Sequence, residues 1–291
     1  MSKSICPDLH MHTTCSDGVL TPRELVRHAA ALGVTVMAVT DHDSFLGADS
    51  LIGTETEIPV LVGTELSMQD MKGLHLLGYG MTKAGELRQV VSDLSHKRLN
   101  RARLMVQRLT ELGMPLDYDT LCSACAGSVG RPHIARAMVA KGYVRDTNEA
   151  FERWIGNGRP AYVAGERLSM AEALPLMRRN GFIPVLAHPA ELGKDDTTLR
   201  MLLEAWQKQG LMGVEVYHPS QMSHGFARLD AMVRRMGLLV TGGSDFHSEG
   251  DGRHGRPGCT AAYWRNAAED LERLQQAMRQ AAAAYTHLNH H

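Results

Sequence analysis

Residues 8–18 read D-L-H-M-H-T-T-C-S-D-G. Alternate side chains of an extended segment share one side, so His10 and His12 stand together while Leu9 and Met11 turn toward a core. A Thr/Ser/Gly turn then brings Asp17 into reach of the pair. Two imidazoles and a carboxylate at a strand end suit a divalent metal. Taken alone, the stretch equally fits an edge strand with two solvated histidines, so the rest of the chain has to decide.

The same pattern recurs downstream. Apolar runs at 34–40, 58–64, 182–187, 211–216 and 237–242 end in D-H-D (41–43), Glu65, H-P (188–189), Y-H-P (217–219) and S-D-F-H (244–247). A further run at 74–79 contains His75. Helical patterns separate the runs. The first, at 22–33, opens with Thr21-Pro22-Arg23-Glu24, a capping box with proline at the first helical position. Others lie at about 168–180, 197–209, 221–236 and 266–284. Near-continuous apolar strands alternating with helices predict an α/β protein whose parallel sheet is covered on both faces. Chemistry at so many strand ends points to a closed or nearly closed barrel with its site on that rim. An open doubly wound sheet would gather ligands only near its switch point.

One segment breaks the alternation. Residues 96–167 read as helices only, within patterns at 87–112, 118–126, 132–141 and 147–155. The predicted organisation is a barrel of residues 1–95 and 168–291 carrying an inserted helical cap. The insert holds 12 Lys and Arg against 7 Asp and Glu, a net of +5, which leaves −6 on the remainder of a chain of net charge −1. A basic cap over a metal site predicts anionic substrates.

Composition sets the outer bounds. The 291 residues are 44% hydrophobic but only 5% aromatic, so a sizeable core must be mostly aliphatic and Met. The near-zero net charge does not announce a nucleic-acid binder. Five cysteines without disulfide-like spacing predict a reducing cytoplasm. Cys122 and Cys125 form a C-x-x-C that reads as cap core rather than redox chemistry. No apolar run approaches the ~20 residues of a membrane span. His290 and His291 are set aside as tag-like.

The candidate ligands are His10, His12, Asp17, His42, Glu65, His75, His188, Asp245 and His247. Buried and unpaired, such a cluster would be very costly; cations remove the cost, because neutral imidazole and carboxylate are ordinary ligands. Nine donors exceed the needs of one ion and fit two or three. Nitrogen and oxygen without thiolate suit Mn²⁺ foremost, with Zn²⁺ or Fe²⁺ as alternatives. Three divalent ions against three carboxylates leave a local charge of about +3, which draws a phosphate.

The set H-x-H-x4-D, T-D-H-D, G-T-E, L-H-L-L-G-Y, A-H-P and S-D-F-H resembles the PHP (polymerase and histidinol phosphatase) metallophosphoesterases over about residues 5–95 and 168–250. The resemblance implies a distorted (β/α)7 barrel with a trinuclear centre. It places His10, His12, Glu65 and Asp245 on one ion, Glu65, His75 and His188 on a second, and Asp17, His42 and His247 on the third. Within the insert, G-R-P-H-I-A-R at 130–136 and N-G-R-P-A-Y at 157–162 are similar to the branch of nucleoside 3′,5′-bisphosphate phosphatases and 5′→3′ exoribonucleases of short RNA. That implies removal of the 3′-phosphate from a small nucleotide, such as 3′-phosphoadenosine 5′-phosphate. Arg131 and His133 are then expected to hold a substrate phosphate, Arg by its rigid fork of donors. Arg256, in the glycine-rich loop 250–258, is expected to touch phosphate as well. His218 is a candidate general acid for the leaving oxygen, or else an orienter of a metal ligand. Neither an obligate protein partner nor a membrane is expected. Competing readings are a histidinol-phosphate-type phosphatase, against which the basic insert argues, and a binding module without catalysis, against which the complete ligand set argues. A C–N-cleaving amidohydrolase would use a bridging lysine that no strand end here supplies.

Overall fold

The computed structural model describes residues 5–81, 85–123, 129–223, 225–250 and 254–289. Cys125, the end of the predicted helix at 118–126, and His290 and His291 lie outside the described residues. Seven strands form one sheet in sequence order: β1 Pro7–Asp8, β2 Val36–Val39, β3 Val60–Ser67, β4 His75–Gly80, β5 Phe182–Leu186, β6 Gly213–Tyr217 and β7 Leu239–Gly242. The sheet curls until its edges nearly meet. Leu9 N–H donates to Gly242 O (3.0 Å), Asp245 N–H to His10 O (2.8 Å) and His12 N–H to Phe246 O (2.9 Å). Met11 and Phe246 form a parallel bridge across the same seam. The result is an α/β barrel, as the strand-end chemistry predicts.

The barrel is not all-parallel. β4 pairs antiparallel with both β3 and β5, whereas the other neighbours are parallel. The connection at 68–74 is too short for a crossover, so the chain must turn back as a hairpin. Reversal explains His75. It opens β4 rather than ending it, and pairing with Ser67 at the end of β3 puts it on the ligand-bearing rim.

The helices are α1 Pro22–Ala31, α2 Leu46–Asp49, α3 Glu86–Glu111, α4 Tyr118–Ser123, α5 Arg131–Ala140, α6 Thr147–Ala150, α7 Met170–Arg179, α8 Asp196–Gln209, α9 Phe226–Arg235 and α10 Ala267–Asn289. The Thr21/Glu24 capping box forms as expected. Two apolar clusters matter for the site. The larger belongs to the barrel and its covering helices. Another is built only from cap residues, Ala102 to Ala161. α3 belongs to both: Leu87 and Val91 enter the barrel cluster, and Ala102, Met105, Val106 and Leu109 enter the cap's. Position 96 therefore falls inside a continuous helix that ties cap to barrel. The predicted helix at 147–155 changes character midway: α6 passes into a π-helical turn at Phe151–Ile155.

Closure of the ring depends on Gly243. A Cβ there would lie 2.4 Å from His10 Cβ and 2.6 Å from His10 N. Gly243→Ala must therefore push β7 away from the first ligand strand. We expect a loss of about 1–3 kcal/mol, the usual cost of overpacking, together with weaker metal uptake. Unchanged denaturation midpoints and metal content would contradict this reading of the seam.

Candidate metal centre

All nine predicted ligands reach one rim. His10 and His12 follow β1, Asp17 lies in the next turn, His42 follows β2, Glu65 sits in β3, His75 opens β4, His188 follows β5, and Asp245 and His247 follow β7. The turn at 13–17 is set by Asp41, whose carboxylate accepts from Thr13 N–H (2.8 Å), Thr13 Oγ1 (2.8 Å) and Ser16 Oγ (2.6 Å). Asp8 performs a similar task at the seam, accepting from Ser244 N–H (2.9 Å) and Gly258 N–H (2.8 Å). His188 and Asp245 adopt positive φ, 27° and 55°, a strained backbone for residues other than glycine and one concentrated at functional sites.

Glu65 is the hub. Its side chain is 1% exposed. Oε1 lies 3.0 Å from His75 Nδ1, 2.9 Å from His188 Nε2 and 3.5 Å from His10 Nε2. Oε2 lies 2.8 Å from His42 Nδ1 and 3.4 Å from His12 Nε2. Asp245 Oδ1 approaches His12 Nε2 (3.1 Å) and His10 Nε2 (3.3 Å), and Asp17 Oδ1 approaches His247 Nε2 (3.2 Å). Among the described residues five sets have ligand atoms within 4.8 Å of one another, and three are built wholly from predicted ligands: His10, His12, Glu65 and Asp245; His42, Glu65 and His75; and His12, Asp17, His42 and His247. His188 joins the middle set, its Nε2 being 3.2 Å from His75 Nδ1.

Only part of this proximity is hydrogen bonding: Glu65 Oε1 pairs with His75 Nδ1 and His188 Nε2. His10 Nε2, His12 Nε2, His42 Nδ1, Asp17 Oδ1, Glu65 Oε2 and Asp245 Oδ1 are buried and make no hydrogen bond. Native interiors tolerate few such atoms, and an ion among them is one of the standard reasons. The electrostatics agree. Burial pushes the Asp17 and Glu65 carboxyls up, yet the histidines around them hold both well below the usual range. Burial and the neighbouring His247 and His42 push His12 down to about 3, leaving a neutral ring with a free lone pair. Burial also opposes charge on His188 and His247, but Glu65 and Asp17 respectively outweigh it and raise them to about 9 and 10. The cluster thus demands positive charge at its centre. Divalent cations supply it, and the mixed nitrogen and oxygen donor set suits them.

The substrate-side expectations divide. Arg131 lines a cavity of about 430 Å³ together with six of the nine predicted ligands, Asp17, His42, His75, His188, Asp245 and His247. His133 does not line it; its Nδ1 accepts from Gly130 N–H (3.0 Å) as a helix cap, and burial pushes it down to about 4. Arg256 is exposed and also absent from the cavity wall. His218 is 0% exposed and lies behind Asp245. Its Nδ1 accepts from Ser220 N–H (3.1 Å) and its Nε2 is 3.5 Å from Asp245 Oδ2. That geometry fits an orienter of Asp245, and His218 also forms a candidate ion-holding set with Glu191 and Asp245.

Other residues were not singled out from the sequence. His254 stacks on His247 (ring centroids 4.2 Å apart) and forms a further possible ligand set with Asp245 and His247. Arg136 lines the cavity and donates to Asp17 O (3.0 Å). Glu215 is buried at 0% exposure on β6, facing His10 Nδ1 (3.0 and 3.1 Å) and accepting from His188 N–H (2.9 Å). It fixes the His10 proton on Nδ1, leaving Nε2 to face the cluster. A lone acid inside the apolar run G-V-E-V-Y was the available signal.

A nearly closed α/β barrel with such donors at its rim defines a metal-dependent hydrolase. The family model of the PHP domain matches residues 8–156. A 5′-3′ exoribonuclease of Haemophilus influenzae is 32% identical over 244 residues, 82% of this chain and 89% of the relative. A 3′,5′-nucleoside bisphosphate phosphatase of Chromobacterium violaceum is 32% identical over 251 residues, 84% of this chain and 88% of the relative. A solved structure from Bifidobacterium adolescentis, provisionally described as a metal-dependent phosphoesterase, superposes with a TM-score of 0.76 at 29% identity, covering 93% of this chain and 96% of that one. The chain belongs to the PHP domain family, and its chemistry is that of a phosphoesterase.

Glu215 provides the test of this construction. Glu215→Ala frees His10 to flip tautomer and removes the anchor of His188. Metal affinity, titrated calorimetrically on chelator-stripped protein, should fall about 10- to 100-fold. Wild-type affinity in the variant would show that Glu215 does not orient the ligands.

Proposed function

We propose that this protein hydrolyses the 3′-phosphate of nucleoside 3′,5′-bisphosphates, releasing the 5′-nucleotide and phosphate. One observation carries the reading: a single cavity joins the ligand cluster to Arg131 and Arg136 of the cap. A substrate spanning it can present one phosphate to the cluster and a second to the arginines. Further basic groups stand behind. Burial lowers Arg98 to about 10 despite Asp17, with Arg167, Arg101 and Arg131 adding to the effect; burial and Arg131 lower Arg101 to about 10. Arg98 pairs with Asp43, whereas Arg101 donates to Val163 O (2.6 Å). This concentration of buried positive charge favours a ligand of more than one negative charge.

The proposed cofactor is two or three divalent ions, Mn²⁺ foremost with Zn²⁺ or Fe²⁺ as alternatives. The proposed ligands are His10, His12, Asp17, His42, Glu65, His75, His188, Asp245 and His247. Such ions neutralise phosphoryl oxygens and acidify water toward neutral pH. The protein's own groups do the rest. Glu65, whose two oxygens face different histidines, would hold ions of the sets on either side of it. Glu215 and His218 hold His10 and Asp245 in register. Arg131 forks onto the second phosphate, and the helical cap, residues 96–167 in this proposal, restricts entry to small nucleotides. The free state of Cys6, Cys15, Cys122 and Cys259 supports a cytoplasmic setting; among the described residues no helix is long and apolar enough to cross a membrane.

A second reading is 5′→3′ exoribonuclease action on short 5′-phosphorylated RNA. The Haemophilus relative bearing that name is as similar to this chain as the phosphatase is. Both activities need the same cluster and the same second-phosphate seat.

Phosphate release from adenosine 3′,5′-bisphosphate with Mn²⁺, compared with cleavage of a 5′-phosphorylated trinucleotide, separates the two. We expect faster turnover of the bisphosphate, abolition by chelator, and a fall of more than about 100-fold in Asp17→Asn, since loss of a direct ligand should exceed loss of a ligand's support. Efficient turnover only of unrelated phosphate monoesters would exclude both readings.

A further inference from the structure

Among the described residues the cavity wall has one aromatic side chain besides its histidines, Phe151 of the predicted insert. Phe151 opens the π-helical turn at Phe151–Ile155, and such turns are rare and frequently mark functional sites. Its half-buried ring packs against the cap's apolar cluster and also contributes to the cavity. The Arg131 guanidinium stands 5.5 Å from the ring centroid and 6.0 Å from that of Tyr162. Arg131 is thereby held over one face of Phe151 while it lines the same space.

The cavity's volume, about 430 Å³, lies toward the small end for ligand sites. Its lining is otherwise almost wholly polar or charged: imidazoles, Asp17, Asp245, Glu191 and the two arginines. A ligand with two phosphates matched to those groups leaves one apolar, planar part to be received. We propose that Phe151 is a specificity-determining residue whose ring stacks on the nucleobase; this deepens, and rests on, the nucleotide-phosphatase reading. Stacking uses the face of a base and not its hydrogen-bonding edge. The enzyme therefore tolerates base identity, favours purines over pyrimidines through their larger face, and distinguishes adenine from guanine weakly.

The experiment compares kcat/KM for adenosine 3′,5′-bisphosphate with that for ribose 3,5-bisphosphate, which lacks the base, in the Mn²⁺-loaded wild type, Phe151→Ala and Phe151→Leu. Alanine replacement of a stacking ring costs about 5- to 150-fold per base. Phe151→Ala should narrow the preference for the nucleotide by a factor in that range, mainly through KM. Phe151→Leu keeps apolar bulk in the cap but no ring, and should narrow it as well. Equal losses on both substrates, or an unchanged ratio, would overturn the stacking role and leave the phosphatase reading standing. A wild type that turns over ribose 3,5-bisphosphate and not the nucleotide would overturn both.

Discussion

Glu65 receives five imidazole nitrogens within 3.5 Å of its two oxygens. Glu65 Oε1 pairs with His75 and His188, but Glu65 Oε2 and several donor atoms around it are sealed from water without a hydrogen bond. A fold retains such a cluster only if something positive occupies its middle. The rest of the architecture reads as the means of bringing these donors together. The ring closes so that the ends of β1 and β7 touch, glycine at 243 lets them touch, and β4 reverses so that its first residue joins the last residues of its neighbours.

Support for the ligands is as deliberate as the ligands themselves. Asp8, Asp41 and Glu215 are buried acids that hold backbone or imidazole N–H groups, not ions. Each joins segments distant in sequence: Glu215 links β6 to the ends of β1 and β5, and Asp8 links β1 to the segment after β7. α3 does the same on a larger scale, with one half in the barrel's core and the other in the cap's. Movement of the second apolar cluster relative to the ligand-bearing rim would therefore have to bend or tilt a continuous helix.

Much of this was legible in the residues, for physical reasons. Period-two alternation put His10 beside His12, and apolar runs ending in acids and imidazoles pointed to a barrel. What stayed hidden depended on pairing or on depth. The direction of β4 is decided by a short connection and not by the composition of L-H-L-L-G-Y. His133 and Arg131 share one motif, yet the first caps its helix and the second faces the cavity, a distinction set by helical phase and packing. His218 read from its strand end as a proton donor or an orienter, and its pairing of Nδ1 with Ser220 and Nε2 with Asp245 is set by the fold and not by its position in the sequence. Arg256 followed glycines that promise access; its side chain is exposed and does not line the cavity. Glu215 was visible as a charge in an apolar strand but could not be assigned a partner 205 residues away.

The central claim is that more than one divalent ion sits among these donors, bridged by Glu65. Anomalous diffraction from crystals of Mn²⁺-loaded protein, recorded above and below the manganese edge, tests it directly. The account predicts at least two difference peaks about the Glu65 carboxylate, one toward His10, His12 and Asp245 and another toward His75 and His188. A single peak remote from Glu65, or none at full Mn²⁺ occupancy by elemental analysis, would contradict it.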